Sequence, residues 1–397
     1  MPVPSLSNKL FQTKQKNKLL WQTRSILPLC RSLRTLSWED KFNQAIAKVV
    51  SYKIPGLSDM KTIEDYLDYL EAYTHWVPAE NREGTHVYQH LFRSFFLLDQ
   101  EPVKSLQTPC APADQQPELT PLSKWMVNYC YAIGDWLDSP ESITDDSVKS
   151  FYDCAVYNMD EYLEPRGGWK TFNQMFARHV KPGYRPIAAI DDDKIIVHPA
   201  DACFGGQWEI RPDTHVRIKG LDWSIDELLE GSPYKDKFKG GMWCHSFLSW
   251  TDYHRQHAPL SGIVREARVI QGACYVDLVA VPDKVNPATN QVEAWRATAP
   301  DQAGYEFMQT RGLIVLETKY GYVAILPIAM PQVSSVVVTA EEGMALKKGD
   351  EISYFQFGGS DIVYLFSANM NVSISAHLGT HYKVGTKIGE IYPVVEL

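Results

Sequence analysis

No two cysteines in this chain are spaced C-x-x-C. Its seven, Cys30, Cys110, Cys130, Cys154, Cys203, Cys244 and Cys274, are scattered and odd in number. This argues against a zinc ribbon or a disulfide frame, and for reduced thiols in a reducing compartment. No run of about 18 apolar residues occurs, so the sequence offers no bilayer-spanning helix. A basic excess is also missing, and the formal net charge of −9 argues against a nucleic-acid partner. No acidic residue precedes Glu39, whereas Lys9, Lys14, Lys16, Lys18, Arg24, Arg31 and Arg34 stand there among serines and leucines. Such a start reads as a mitochondrial transit peptide, a disordered basic tail or an ordinary first helix. The expected compartment is the cytoplasm, with the mitochondrion as the alternative.

What is present describes a globular protein. Hydrophobic residues make up 45% and charged residues 22% of the 397 positions, enough for two domains or one large domain with an extension. Eleven tryptophans and 21 tyrosines suit large cores and aromatic-lined pockets without specifying a ligand. From about Trp38 to Trp169 the apolar spacing is helical, over Glu39 to Val50, His86 to Leu98 and Leu122 to Leu137. Thr62 followed by Asp65 reads as a capping box opening another helix, and Gln107 to Pro121 as a loop. His86 and His90 lack the helical Glu of an H-E-x-x-H pattern and read as surface or core histidines. After Thr171 short β-rich runs alternate with Gly, Pro and Asp turns. They are Lys194 to Val197, Trp208 to Ile210, Ile263 to Val269, Tyr275 to Val281, Leu313 to Thr318, Tyr322 to Ile328 and Ser334 to Thr339. Ser224 to Glu230 reads as a short helix. The expected fold is α+β, with a basic tail over 1–37, a helical N-terminal domain over 38–170 and a mainly antiparallel β catalytic domain over 171–397.

Three stretches could carry chemistry. In Thr251 to Gly262, His254 and His257 could supply a base and an acid near neutral pH, or could be hydrogen-bonded loop histidines. No nearby Cys or Glu completes a metal set, so no metal is expected. In Val197 to Cys203, Asp201 could face inward and orient a histidine, or could be a turn Asp bonding its own backbone. In Phe355 to Val363, the Gly358-Gly359-Ser360 run is by itself an ordinary turn between strands. A serine hydroxyl beside glycines can attack the preceding carbonyl if the backbone is bent unusually, a His takes its proton and a carboxylate holds that His. Asp201, His257 and Ser360 supply those three types.

Several segments, taken together, closely resemble the phosphatidylserine decarboxylase family of pyruvoyl enzymes. They are Thr171 to Arg178 with Tyr184-Arg185-Pro186-Ile187, then Pro199-Ala200-Asp201, Ile218-Lys219-Gly220 with Trp223 to Leu229, Tyr253-His254-Arg255-Gln256-His257-Ala258-Pro259, and Lys348-Gly349-Asp350-Glu351 with Phe357 to Ser360. The resemblance spans Thr171 to Leu397. More loosely, the length of the helical extension, Trp76-Val77-Pro78 and Asp135 to Ser139 are similar to the tryptophan decarboxylase branch that acts on free amino acids.

The resemblance implies a self-cleaving enzyme. Asp201 would orient His257, His257 would deprotonate Ser360, and an acyl shift with elimination would break the chain between Gly359 and Ser360. A β chain ending at Gly359 and an α chain over 360–397 would result, the latter opening with a covalent pyruvoyl group made from Ser360. That ketone would form a Schiff base with the substrate amine and draw electrons from the breaking carboxylate bond. His254 would deliver a proton or grip the carboxylate. Two positions depart from the family pattern: Ala202 stands where a glycine is usual, and Asp361 where Thr or Ser is common. With no spanning segment, the expected substrate is a small free amino acid, aromatic such as tryptophan. The alternatives are phosphatidylserine, giving phosphatidylethanolamine, or an uncleaved binding protein. The expected partners are that small molecule and the chain's own α and β pieces, with homo-oligomerisation left open.

Overall fold

A computed structural model describes residues 38–299, 304–332 and 335–393. The basic tail and its targeting reading lie outside the described residues, as does Ser334. The fold is α+β, with helices first and antiparallel sheets after them. Helix α1 (Glu39–Ser51) buries Phe42, Ala45, Ile46 and Val49, the three-and-four spacing of one apolar face. Helix α2 (Ile63–Tyr73) starts where expected: the Thr62 side chain accepts the Asp65 N–H while the Asp65 carboxylate accepts the Thr62 N–H. Helices α3 (His86–Phe96) and α4 (Pro121–Leu137) follow, the latter with Thr120 as its cap and Pro121 in its first turn. Two further helices, Asp145–Asp153 and Phe172–Phe176, are too short for their periodicity to stand out in the sequence.

The helices share a core with the sheets. Helix α3 lies on the strand Val292–Thr298, where the Tyr88 hydroxyl meets Thr298 Oγ1 at 3.1 Å and the Gln89 amide donates to the Ala297 carbonyl at 3.1 Å. Phe95 and Cys130 belong to the same buried cluster as Ile314 and Tyr364. Among the described residues no helix is long and apolar enough to cross a membrane.

Twelve strands frame the site. They are β1 (Ile195–Val197), β2 (Ala202–Glu209), β3 (Met242–Phe247), β4 (Arg255–His257), β5 (Gly262–Ile270), β6 (Arg311–Glu317), β7 (Tyr322–Ala329), β8 (Val336–Val338), β9 (Ala345–Leu346), β10 (Glu351–Phe355), β11 (Gly359–Phe366) and β12 (His381–Tyr382). The main sheet has eight strands in the order β9-β5-β6-β7-β11-β3-β2-β12, and a smaller sheet has the order β8-β10-β4. Strand β11 is central, and both its faces are buried, as its apolar run Ile362 to Phe366 demands.

Two expectations are corrected. The Tyr275 to Val281 run forms a strand only over Val279–Val285. Its first residues are pinned elsewhere, Leu278 N–H donating to Asp99 at 2.6 Å and Tyr275 N–H to the Gln309 side chain at 3.0 Å. The Gly358-Gly359-Ser360 run is not a hairpin turn. Strand β10 pairs with β8 and β4, whereas β11 pairs with β7 and β3, so the turn carries the chain from one sheet to the other.

Candidate active site

The crossing between sheets strains the backbone where the sequence allows it. Gly358 has φ +98°, and its carbonyl accepts the Met330 N–H at 2.6 Å. Neither glycine has room for a side chain: a Cβ at position 358 would overlap Gln332, and one at 359 would overlap the Phe355 ring. Against β7, Ala329 faces Gly359 while Ile328 faces Asp361, so Ser360 is the extra residue of a bulge. Its carbonyl accepts the Leu248 N–H at 2.5 Å. The Ser360 hydroxyl is buried and has no hydrogen-bond partner. Buried polar groups in native proteins are almost always hydrogen-bonded, so an orphan hydroxyl at a bulge marks this serine out as a candidate functional group. The helical segment clamps the turn: Phe357 N–H donates to Asn173 at 3.0 Å, Gln356 donates to Asp138 at 2.8 Å, and the Phe357 ring packs on Trp76, Phe172 and Phe176.

Sheet register brings His254 close to this turn and sets His257 further along, at the other end of β10. Strand β4 runs antiparallel to β10, with His257 opposite Glu351, and the His254 carbonyl accepts the Phe355 N–H at 2.8 Å. His257 donates from Nδ1 to the Gly349 carbonyl at 2.7 Å, leaving the Nε2 lone pair to receive the Tyr253 hydroxyl at 3.0 Å. Burial lowers its pKa, against the pull of the Gly349 bond and of the Glu351 and Asp201 charges, so the ring is a neutral base at pH 7. His254 is fully buried and stacks on Phe176 at 3.9 Å. Neither of its ring nitrogens meets a partner in hydrogen-bond geometry, though the backbone of Ser249 and Phe176 lies against it. Burial holds its pKa well below the usual imidazole value.

Asp201 is buried, as the sequence suggested, but its oxygens are occupied. Arg185 Nε lies 2.9 Å from both, Arg185 Nη2 lies 2.5 Å from Oδ2, and the Val384 N–H donates to Oδ1 at 2.8 Å. The path to His257 is indirect. The Arg185 guanidinium lies 5.6 Å from the centre of the Tyr253 ring, whose hydroxyl bonds His257. Arg185, Tyr253 and Gly349 were visible only as motif letters, and the sequence assigned them no role.

On the other side of Ser360, Asp361 is completely buried. Its Oδ2 accepts the Tyr305 hydroxyl, and its Oδ1 lies 3.5 Å from His245 Nε2, which is also 3.3 Å from Glu306 Oε1. Burial, and then the Asp361 charge, push Glu306 up to about 7. Sequence reasoning missed His245 and Glu306 because they stand far apart in the chain and belong to no motif. The pairing of His245 with Val363, and of Phe247 with Asp361, brings His245 to Asp361, and the turn of Tyr305, whose hydroxyl bonds Asp361, brings Glu306.

A cavity of about 670 Å³ opens beside the turn, lined by Tyr88 and Phe92 of α3 and by Trp223, Phe247, Trp250, Tyr275, Tyr305 and Met330 among others. Phe247 pairs with Asp361, and the Met330 N–H holds Gly358, so the cavity borders the crossing. Its aromatic lining fits the aromatic-rich composition.

Known proteins are similar to this chain in sequence. The model of the phosphatidylserine decarboxylase family matches residues 172–390, more than half of the chain. Phosphatidylserine decarboxylase proenzyme 3 of Schizosaccharomyces pombe is 32% identical over 261 residues, 64% of this chain but only 25% of that protein. The proenzyme of Fusobacterium nucleatum is 27% identical over 263 residues, 64% of this chain and 80% of the relative. Decarboxylase iboD of Amanita muscaria is 27% identical over 238 residues, covering 57% and 67%. The family consists of carboxy-lyases that are made as proenzymes and depend on a pyruvoyl group. With more than half of its length matched by that family's model, the chain belongs to the phosphatidylserine decarboxylase family.

Proposed function

We propose that this chain cleaves itself between Gly359 and Ser360 and then removes the α-carboxylate of a serine headgroup, with phosphatidylserine as substrate and phosphatidylethanolamine as product. The observation that carries the reading is the buried, unpartnered Ser360 hydroxyl at a bulge where positions 358 and 359 admit only glycine. The hydroxyl attacks the Gly359 carbonyl, its proton passing to the neutral His257 once the Tyr253 hydroxyl has released Nε2, and then to the departing Ser360 nitrogen as the peptide C–N bond breaks. A base then takes the Cα proton of residue 360 as the ester C–O bond breaks, leaving a carboxylate on Gly359 and an enamine. The enamine tautomerises to an imine, which water converts to the ketone with loss of ammonia. The pyruvoyl group at position 360 supplies an electron sink for the carboxylate's bonding pair. Around it, Asp201 fixes Arg185, Arg185 and Tyr253 hold the base, and the neutral His254 offers an N–H to the substrate carboxylate. The relatives named as phosphatidylserine decarboxylases support the substrate.

A second reading, a free aromatic amino acid, is favoured by the aromatic wall of the cavity, to which α3 contributes Tyr88 and Phe92. Intact mass of the purified protein tests the cleavage: two chains, the smaller opening with a pyruvoyl group, are expected. A single full-length mass under all conditions would support an uncleaved binding protein. Decarboxylation of phosphatidylserine vesicles against a panel of free amino acids separates the substrates, and turnover of free amino acids alone would sink the lipid reading.

A further inference from the structure

We propose that His245, Glu306 and Asp361 form a binding site for a divalent metal ion of the zinc class, one residue beyond Ser360. The three side chains come from β3, from a short 3₁₀ turn (Tyr305–Phe307) and from β11, and each is at most 2% exposed. Their inward atoms converge: Glu306 Oε1 lies 3.3 Å, and Asp361 Oδ1 3.5 Å, from His245 Nε2. Neither carboxylate oxygen accepts a hydrogen bond from any donor among the described residues. For a tetrahedral ion with metal–ligand bonds of about 2.0–2.1 Å, neighbouring ligand atoms stand about 3.3–3.4 Å apart. The observed spacings match that edge and exceed an ordinary charge-assisted hydrogen bond of about 2.7–2.9 Å. One His and two carboxylates are an established ligand chemistry for zinc, with a fourth position left for water.

The outward atoms are held as the outer shell of a metal site is held. The Gly304 N–H donates to the second oxygen of Glu306, and the Tyr305 hydroxyl to the second oxygen of Asp361. Gly205 makes room for the imidazole, since a Cβ there would overlap His245 Nδ1. Charge points the same way. Glu306 and Asp361 are both fully buried, and His245 is the one basic group within ion-pair distance of either among the described residues. Two buried carboxylates with no Arg or Lys between them call for a compensating cation or a proton, and a divalent ion matches their charge.

The test uses the full chain, purified without added metal, then loaded with zinc and desalted. Elemental analysis should find one zinc per chain, with at least a tenfold loss of affinity in Glu306→Gln and Asp361→Asn. Tyr305→Phe, which removes only an outer-shell donor, should weaken zinc by about tenfold or more. Circular dichroism checks that each variant is folded. Should the ligand variants misfold, the wild-type protein decides alone. Stripped with chelator and titrated with cobalt(II), it should develop the intense visible absorption of tetrahedral coordination. Absence of both bound zinc and that band, which would mean the carboxylates are neutralised by protons, overturns the proposal. Full zinc occupancy in folded Glu306→Gln and Asp361→Asn, placing the metal elsewhere, overturns it equally.

Discussion

Asp201 and Asp361 are both buried carboxylates, and they are stabilised in opposite ways. Asp201 is gripped by Arg185 through three contacts, and Arg185 also reaches Glu161. Asp361 has no guanidinium or ammonium within reach among the described residues; it shares His245 with a second carboxylate. One corner is a closed ion-pair network whose charges are already matched. The other is an excess of buried negative charge around an imidazole. A buried carboxylate with its own cation can only hold something still, here the Arg185 and Tyr253 pair behind His257. One without a cation can bind, and that difference separates the scaffold of the site from its capacity for a further ligand.

Ser360→Ala is the harshest test of the proposed reaction. We expect no cleavage and no decarboxylation, with the full-length chain as the only band on a denaturing gel and both corners still folded by circular dichroism. His257→Ala should also stay uncleaved, while His254→Ala should cleave and turn over poorly. A His254→Ala protein that fails to cleave would show that the two histidines do not divide the work.

Next in size is the removal of one partner from the matched corner. Arg185→Met keeps much of the volume but leaves Asp201 buried and unpaired. Breaking a buried ion pair this way costs about 3–5 kcal/mol, read as a shift in the urea midpoint at an unchanged slope. A shift well under about 1 kcal/mol, the scale of an exposed pair, would erase the contrast between the corners.

These tests also mark what the sequence could and could not tell. Local signals were legible. Thr62 with Asp65 announced a capping box, and the spacing of Phe42, Ile46 and Val49 announced α1, because both depend on residues within a turn or two of one another. Tyr253 to Pro259 and Gly358 to Ser360 were legible because their chemistry is packed into a few consecutive positions. Three things were not. The crossing from one sheet to the other at Gly358 depends on which distant strands pair, and a Gly-Gly turn looks the same inside a hairpin. The partner of Asp201 could have been read from Arg185, but a carboxylate in a sequence does not say whether a histidine or an arginine will reach it first. His245, Glu306 and Asp361 share no local pattern, and tertiary structure alone gathers them.

Acid should weaken the fold through its buried histidines. His198, three residues before Asp201, is fully buried, and burial lowers its pKa from 6.5 to about 4. Between those values the unfolded chain binds the proton and the folded chain does not. Stability is therefore full above pH 6.5 and falls as the pH drops toward 4. The slope reaches about 1.4 kcal/mol per pH unit from this group alone. His90, likewise lowered to about 4 by burial, adds to the fall. Urea unfolding across that window should show it, and His198→Gln, which keeps hydrogen-bonding capacity without a titrating ring, should flatten it. An unchanged slope in that variant would mean the acid sensitivity lies elsewhere.

The smallest expected effect is also the one that separates the corners most cleanly. In chelator-stripped protein, Asp361→Asn removes one of two like charges facing each other across His245 and leaves the Tyr305 hydroxyl an amide oxygen to bond. Relief of that repulsion offsets the lost attraction to His245. We therefore expect a change within about 1 kcal/mol of wild type, neutral or stabilising, against the loss of several at Arg185. Urea midpoints measured side by side, both proteins metal-free, read the difference directly. If Asp361→Asn costs as much as Arg185→Met, Asp361 is held by a matched partner after all, and the two corners are stabilised alike.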